Sequence, residues 1–320
     1  MRAIVVTEHG GPEVLHPSEV PAPEPGAGQL AVEVAAAGVN YIDTYHRTGR
    51  YPTKPPFTPG VEVAGTVVAV GPGVTGFAAG DLVATADAVG GYAERALVNA
   101  DRAIAVPAGA DLRLAAAALL QGMTAHYLTH STHPVLPGET VLVHAAAGGM
   151  GLLLTQLVKL RGGRVIGTVS TPEKERLARE AGADEVLGYD GFAEAVRDLT
   201  GGEGVAAVYD GVGRTTFDGS LAALRRRGVL ALYGAASGPV DPVDPMRLAG
   251  AGGVYLTRPS LAHYTVTREE LAERAGDVLR WVASGELKLH IGRTYPLADA
   301  RTAHEDLEGR RTTGKLLLIP

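Results

Sequence analysis

Thr140–Gly151 constrains this chain more than any other stretch. Thr140–His144 is a short apolar run that reads as a β-strand, and it opens directly into Ala145-Ala146-Ala147-Gly148-Gly149-Met150-Gly151. Gly151–Leu160 then reads as an apolar helix. Strand, glycine-rich turn and helix in that order form the dinucleotide fingerprint G-x-G-x-x-G, with Ala146 standing at the first glycine position. Gly148 lets the backbone approach a pyrophosphate, and Gly151 lets helix and strand pack closely. The start of the helix offers N–H groups and a partial positive charge to phosphate. Ala147, Gly149 and Met150 complete the expected binding loop.

The residues around this loop alternate between strand and helix. Strands are expected at Arg164–Val169, Glu185–Leu187, Val205–Tyr209 and Val229–Tyr233. Helices are expected at Glu173–Ala181, Phe192–Leu199 and Phe217–Arg226, with Leu112–Tyr127 ahead of them. Such alternation predicts an α/β fold with a doubly wound parallel sheet covered on both faces. The first third has another texture: Ala3–Thr7, Leu30–Ala36, Val61–Val70 and Asp81–Ala84 are Val- and Ala-rich runs separated by Pro/Gly clusters. This predicts a β-rich, loop-heavy domain. Alternation stops near Pro259. Arg268–Ser284 reads as a helix with Thr267 as N-cap and Glu270 closing a capping box. A strand, a short helix near Ala298–Leu307 and a last strand at Lys315–Ile319 follow. The expected division is residues 1–123 with 261–320 as one domain, and 124–260 as a nucleotide-binding domain inserted between them.

With 320 residues, 46% hydrophobic and 20% charged, the chain has the profile of a soluble globular protein. Its net charge is −6, which gives no electrostatic reason to expect nucleic acid as a partner. It has no cysteine, hence no disulfide, no thiol nucleophile and no thiolate for a metal. The opening residues read as a strand rather than a signal peptide. The apolar stretch Leu114–Leu120 is too short for a bilayer, so no membrane partner and a cytoplasmic location are the expectation.

The second strand of the nucleotide unit bears on which cofactor is used. An NAD site usually carries a carboxylate there for the ribose 2′-hydroxyl. This strand ends Gly167-Thr168-Val169-Ser170-Thr171 without one, and Lys174 follows. Ser170 can donate a hydrogen bond and Lys174 can supply charge to a 2′-phosphate, so NADPH is expected.

Several segments resemble the quinone oxidoreductase branch of the zinc-free medium-chain dehydrogenases/reductases, the branch that includes zeta-crystallin. They are His9–Leu15, Gly38–Tyr45, Arg47–Pro52, His144–Gly151, Val208–Gly213 and Thr257–Leu261. The resemblance implies a GroES-like catalytic domain, a Rossmann domain inserted within it, and a homodimer joined through the Rossmann sheets. In zinc-using relatives a Cys stands where Asn40 stands here, and a His where Val61 stands. Neither residue is a good zinc ligand, so no metal is expected. The ten histidines read as ordinary surface or core residues.

The implied activity is delivery of hydride to a quinone or conjugated carbonyl without a metal. The resemblance places Asn40 near the nicotinamide and ribose, and Tyr45 and Tyr51 near the substrate, where a tyrosine offers a flat apolar face and an O–H donor. It also places Thr124 at the nicotinamide end and Tyr189 near the adenine. Val212, Tyr233 and Arg258 are expected along the cofactor groove, and Arg311 and Lys315 as phosphate or carboxamide contacts. Packing and surface roles for these side chains stay open. Two other readings compete: reduction of activated C=C bonds in enals or enones by the same apparatus, and a non-enzymatic NADPH-binding, crystallin-like or RNA-binding protein.

Overall fold

The computed structural model describes Met1–Pro320. The chain divides into two units, Met1–Leu120 with Thr267–Pro320, and Gln121–Val266. These boundaries differ from the expected ones because α2 runs unbroken through Leu112–Tyr127 and no composition change marks where one core ends within it. The C-terminal boundary falls immediately before the N-cap of helix α8.

The first unit is built on β1 (Arg2–Val5), β2 (His16–Glu19), β3 (Gln29–Val39), α1 (Tyr41–Arg47), β4 (Glu62–Val70), β5 (Leu82–Thr85), β6 (Ala88–Val89), β7 (Arg95–Asn99) and β8 (Ile104–Ala105), before α2 (Leu112–Tyr127). Strand β3 is the organising element. Its 11 residues are Val- and Ala-rich. It pairs antiparallel with β4 along one edge and with β7 on the other. Ile4, Leu30, Val32, Val34, Val63, Val67, Val83 and Val98 fill the core beneath it. Each such side chain fully buried stabilises the fold by about 1.5–3 kcal/mol.

The second unit carries β9 (Thr140–Val143), α3 (Gly149–Leu160), β10 (Arg164–Thr168), α4 (Pro172–Glu180), β11 (Glu185–Leu187), α5 (Phe192–Leu199), β12 (Val205–Asp210), α6 (Phe217–Ala223), β13 (Leu224–Leu232), α7 (Pro245–Gly250) and β14 (Tyr255–Thr257). All six strands are parallel, in the order β11-β10-β9-β12-β13-β14. This is the doubly wound Rossmann order, whose switch point lies between β9 and β12. Leu142, Ile166, Val208 and Leu230 from the sheet pack with Phe192, Phe217 and Leu221 from the helices. One expectation is corrected here. Helix α6 ends at Ala223 rather than Arg226, because Leu224 already pairs with Val205 in the sheet. The register then shifts before Ala207 meets Val229, and Arg227 in the extra length takes a left-handed φ of 59°.

The chain returns to the first unit through α8 (Arg268–Ser284), β15 (Ile291–Pro296), α9 (Ala300–Glu308) and β16 (Lys315–Ile319). The Thr267/Glu270 capping box at the start of α8 is present as expected, and Gly285 ends the helix in the left-handed conformation. Strand β16 lies antiparallel on the end of β3, with Leu316 opposite Val39. No helix is long and apolar enough to cross a membrane.

Candidate active site

The strand order of the first unit gathers three polar residues that the sequence scatters. Leu316 opposite Val39 brings Lys315 to Asn40, and Gly38 opposite Glu62 brings in the carboxylate. Lys315 Nζ donates to Asn40 Oδ1 at 2.7 Å and to Glu62 Oε2 at 2.5 Å. Asn40 Nδ2 donates to Glu62 Oε2 at 2.8 Å and to Gly38 O at 3.3 Å, while Glu62 Oε1 accepts the Leu120 N–H at 2.7 Å. All three side chains are at most 3% exposed. Gly38 is glycine because a Cβ there would run into the Glu62 carboxylate. Lys315 is therefore not a solvated surface charge but the buried counter-ion of Glu62. Both amide hydrogens of Asn40 are given to protein groups.

Asn40 also starts a second network. Its backbone N–H donates to Asp43 Oδ2 at 2.9 Å, and the same oxygen accepts the Tyr92 hydroxyl at 2.9 Å. Tyr92 Oη lies 3.1 Å from His304 Nε2, and His304 Nδ1 lies 2.9 Å from Arg47 Nη1. Arg47 ends the chain on Glu308 with two hydrogen bonds of 2.9 and 3.0 Å. Burial pushes the Asp43 carboxyl up to about 7, against the Asn40 N–H, the Tyr92 hydroxyl and the Lys315 charge. Burial, helped by the Arg47 charge, pushes His304 down to about 3. Asp43 Oδ1 is buried with no partner.

The tyrosines sit on and just after α1. The Tyr45 ring packs 5.2 Å from that of Tyr51 and 6.4 Å from that of Tyr41, with the Arg50 guanidinium 4.6 Å above it. Tyr45 is buried and Tyr51 half-buried, and the Tyr51 N–H donates to Tyr45 O at 3.0 Å, closing the loop onto the helix. Arg311 lies in this unit too, but its guanidinium is held by Asp306 at 2.8 Å.

In the second unit the glycine loop has the shape its sequence predicts. A Cβ on Gly151 would collide with Ala145 O and would lie 2.6 Å from Ala146 Cα, so the α3 start and the β9 end are in contact. A Cβ on Gly149 would meet the Gln121 side chain, whereas one on Gly148 would meet only Ala145 O at 3.2 Å. Ala145 is left-handed with φ 51°, and the turn closes through Gly148 N–H to Ala145 O at 2.8 Å. Ser170 and Lys174 stand together after β10, where Lys174 Nζ donates to Ser170 Oγ at 3.4 Å. The Val212 N–H donates to Asp210 Oδ1 at 2.8 Å, and the Tyr233 ring lies on Gly211, where a Cβ would be 2.8 Å from it. The Tyr189 ring lies parallel to that of His144 at 6.2 Å. Thr124 is buried on α2, and Arg258 Nη1 donates to Pro259 O at 3.4 Å. A dinucleotide therefore fits this loop: a bare N-terminal turn at α3, a position at Gly148 that any side chain would begin to fill, and a hydroxyl with an ammonium beyond β10.

Zinc does not fit the first unit. Asn40 and Val61 are poor ligands, and the Lys315 ammonium already takes the cation position between Asn40 and Glu62. No group of three or more His, Asp or Glu side chains is placed to hold a metal. One histidine spacing escaped the sequence reading: His126 and His130 are one helical turn apart and their rings stack at 4.3 Å.

Residues 26–140 match the family model described as the alcohol dehydrogenase GroES-like domain, and residues 149–281 match that described as zinc-binding dehydrogenase. The chain is 44% identical to Quinone oxidoreductase 1 of Escherichia coli over 98% of both sequences. It is 43% identical to the 2-haloacrylate reductase of a Burkholderia species, over 99% of this chain and 98% of that protein. Among solved structures, a mycobacterial protein complexed with NADPH is 55% identical, with a TM-score of 0.98 and full coverage of both chains. The chain belongs to the quinone oxidoreductase branch of the medium-chain dehydrogenase/reductase family.

The groups that sequence reasoning missed are Glu62, Asp43, Tyr92 and His304 in the first unit and His144, Thr168, Asp210 and Ser220 in the second. Each is an ordinary polar residue in its own segment. Only Glu62 carried a local signal, a lone carboxylate inside an apolar strand run.

Proposed function

We propose that this protein is an NADPH-dependent quinone oxidoreductase that works without a metal. The observation that carries the reading is the pairing of Ser170 with Lys174 just beyond β10, where an NAD site would carry a carboxylate. NADPH-bound structures of similar proteins, including the Escherichia coli quinone oxidoreductase at 43% identity, support it.

When bound, the cofactor supplies hydride. The α3 N-terminus and the Ala147–Gly151 loop hold the pyrophosphate, and Ser170 and Lys174 hold the 2′-phosphate. Thr124, Tyr189, Val212, Tyr233, Arg258 and Arg311 are proposed cofactor contacts. Tyr45 and Tyr51 shape the substrate site and stack on a flat ring. Asn40 serves by position: its amide donors are already given to Glu62 and Gly38 O, so the proton for a reduced quinone comes from water rather than from this residue.

A second reading, hydride transfer to an activated C=C bond, draws on the likeness to 2-haloacrylate reductase. One experiment separates them. Purified protein is assayed with NADPH and NADH against a panel of quinones, enones and 2-haloacrylates. Faster turnover of quinones with NADPH supports the proposal, turnover of C=C substrates alone selects the second reading, and a preference for NADH defeats the cofactor assignment. A homodimer belongs to the same proposal, because β14 is an edge strand with Tyr255 exposed on it. A cytoplasmic location and the absence of a nucleic-acid partner rest on the sequence alone.

A further inference from the structure

Beneath the glycine loop lies a buried polar cluster that hydride chemistry does not use. His144, Thr168, Asp210 and Ser220 are all 0% exposed. His144 follows β9, Thr168 ends β10, Asp210 ends β12, and Ser220 reaches in from α6. Ser220 Oγ donates to Asp210 Oδ2 at 2.9 Å, and Thr216 Oγ1 donates to the same oxygen at 2.8 Å. Asp210 Oδ1 accepts the Val212 and Gly213 N–H groups at 2.8 and 2.9 Å. The Ser220 hydroxyl has one hydrogen and spends it on Asp210, so His144 Nε2, 2.9 Å away, must be the donor to Ser220 Oγ. His144 Nδ1 is then the acceptor for the Thr168 hydroxyl at 2.8 Å.

Serine, histidine and aspartate together suggest a nucleophilic triad, but the direction of the bonds excludes one here. The serine proton points at the aspartate and not at the imidazole, and no path leads a substrate to a fully buried hydroxyl. What the cluster does is mechanical. It joins the carboxyl ends of three adjacent parallel strands at the switch point. Residue 145 follows at once in the left-handed region, a conformation that costs an alanine about 1–2 kcal/mol and persists only where neighbours hold it. Thr168 grips both sides of that residue, through the His144 ring and through its own carbonyl, which accepts the Ala146 N–H at 3.0 Å.

We infer that His144 is a positioning residue for the cofactor: with its proton on Nε2, its imidazole ties Thr168 to Ser220 and Asp210, and so fixes the Ala145 turn and the Val212–Gly213 turn in the shape that receives the dinucleotide. This rests on the reading of residues 145–151 as the phosphate loop. Because the turns serve the part of the cofactor common to NADPH and NADH, loss of the clamp weakens both alike.

The test is Thr168→Val, which keeps the shape and removes the hydroxyl, beside Thr168→Ser, which keeps the hydroxyl. Dissociation constants for NADPH and NADH are measured by fluorescence titration, with Tm for each variant. Thr168→Val is expected to weaken both dinucleotides about tenfold with their ratio unchanged, and Thr168→Ser to stay within about twofold of the wild type. A lower Tm with unchanged dissociation constants makes the cluster merely structural and overturns the inference. Nitrogen NMR of the cofactor-free protein reads the tautomer independently, and a His144 proton on Nδ1 overturns it too. If the wild type binds neither dinucleotide, the phosphate-loop reading fails and takes this inference with it. If the wild type binds both dinucleotides and Thr168→Val binds them equally well, this inference fails alone.

Discussion

Asp43 and His304 meet at one hydroxyl: Tyr92 Oη donates to Asp43 Oδ2 at 2.9 Å and accepts from His304 Nε2 at 3.1 Å. The two helices that carry them, α1 and α9, come from opposite ends of the chain. Burial shifts the two groups in opposite directions, toward their neutral forms, with Asp43 up to about 7 and His304 down to about 3.

Their effects on stability oppose each other. Asp43 keeps its proton in the fold up to about pH 7 and loses it near pH 4 when unfolded, so its contribution falls as pH rises through that window. His304 takes a proton near pH 6.5 when unfolded and only near pH 3 in the fold, so its contribution is lost as pH falls below about 6.5. Asp43→Asn is expected to leave a stability that rises from pH 4.5 to 6.5, and His304→Gln one that falls, each by up to about 1.4 kcal/mol per pH unit relative to the wild type. Urea unfolding across this range checks it, and parallel curves for all three proteins would refute it.

Lys315 and Glu62 form an ion pair buried from solvent on both sides. Lys315→Met is expected to destabilise by about 3–5 kcal/mol, because the Glu62 carboxylate keeps its place and loses its counter-ion. Adding Glu62→Gln removes the unpaired charge and should recover much of the loss. The double mutant is compared with both singles by chemical denaturation.

Gly148 and Gly151 separate binding from folding. Gly148→Ala places a methyl against one carbonyl oxygen at 3.2 Å in an ordinary backbone conformation, so Tm should move by no more than about 2 °C while NADPH affinity drops tenfold or more. Gly151→Ala forces the β9 turn and α3 apart and should cost about 1–3 kcal/mol of stability as well. Calorimetry and cofactor titration on the two variants give the comparison.

Lys174 governs the choice of cofactor. Its ammonium stands beside Ser170 Oγ at 3.4 Å, on the first turn of α4. Lys174→Ala should raise KM for NADPH on the order of tenfold or more and leave KM for NADH within about twofold. Equal effects on both would remove the 2′-phosphate assignment.

Tyr51 acts through its ring, which packs against Tyr45. Tyr51→Phe should hold kcat/KM for a quinone within a few-fold, since stacking of this kind is worth about 0.5–1.5 kcal/mol and survives the change. Tyr51→Ala should alter the preference between small and bulky quinones. A large fall in kcat for Tyr51→Phe would show instead that the hydroxyl stabilises developing charge.

What the sequence determined by itself is local in origin. The Thr140–Gly151 turn, the helix Leu112–Tyr127 and the Thr267/Glu270 cap each need only neighbours within a few residues, and the structure has all of them. The parallel sheet was legible for the same reason, because strand and helix periods repeat along it. What only the tertiary structure decided is pairing across distance. The helical pattern after Phe217 gave way at Leu224 to a strand partner that no local signal shows. Lys315 reads as a surface lysine until β16 lies beside β3 and sets it on Glu62. His144 reads as the end of a strand until β10 and α6 deliver a hydroxyl to each of its ring nitrogens. A buried polar side chain must find its partner wherever the fold supplies one, and register and strand order, rather than composition, decide where that is.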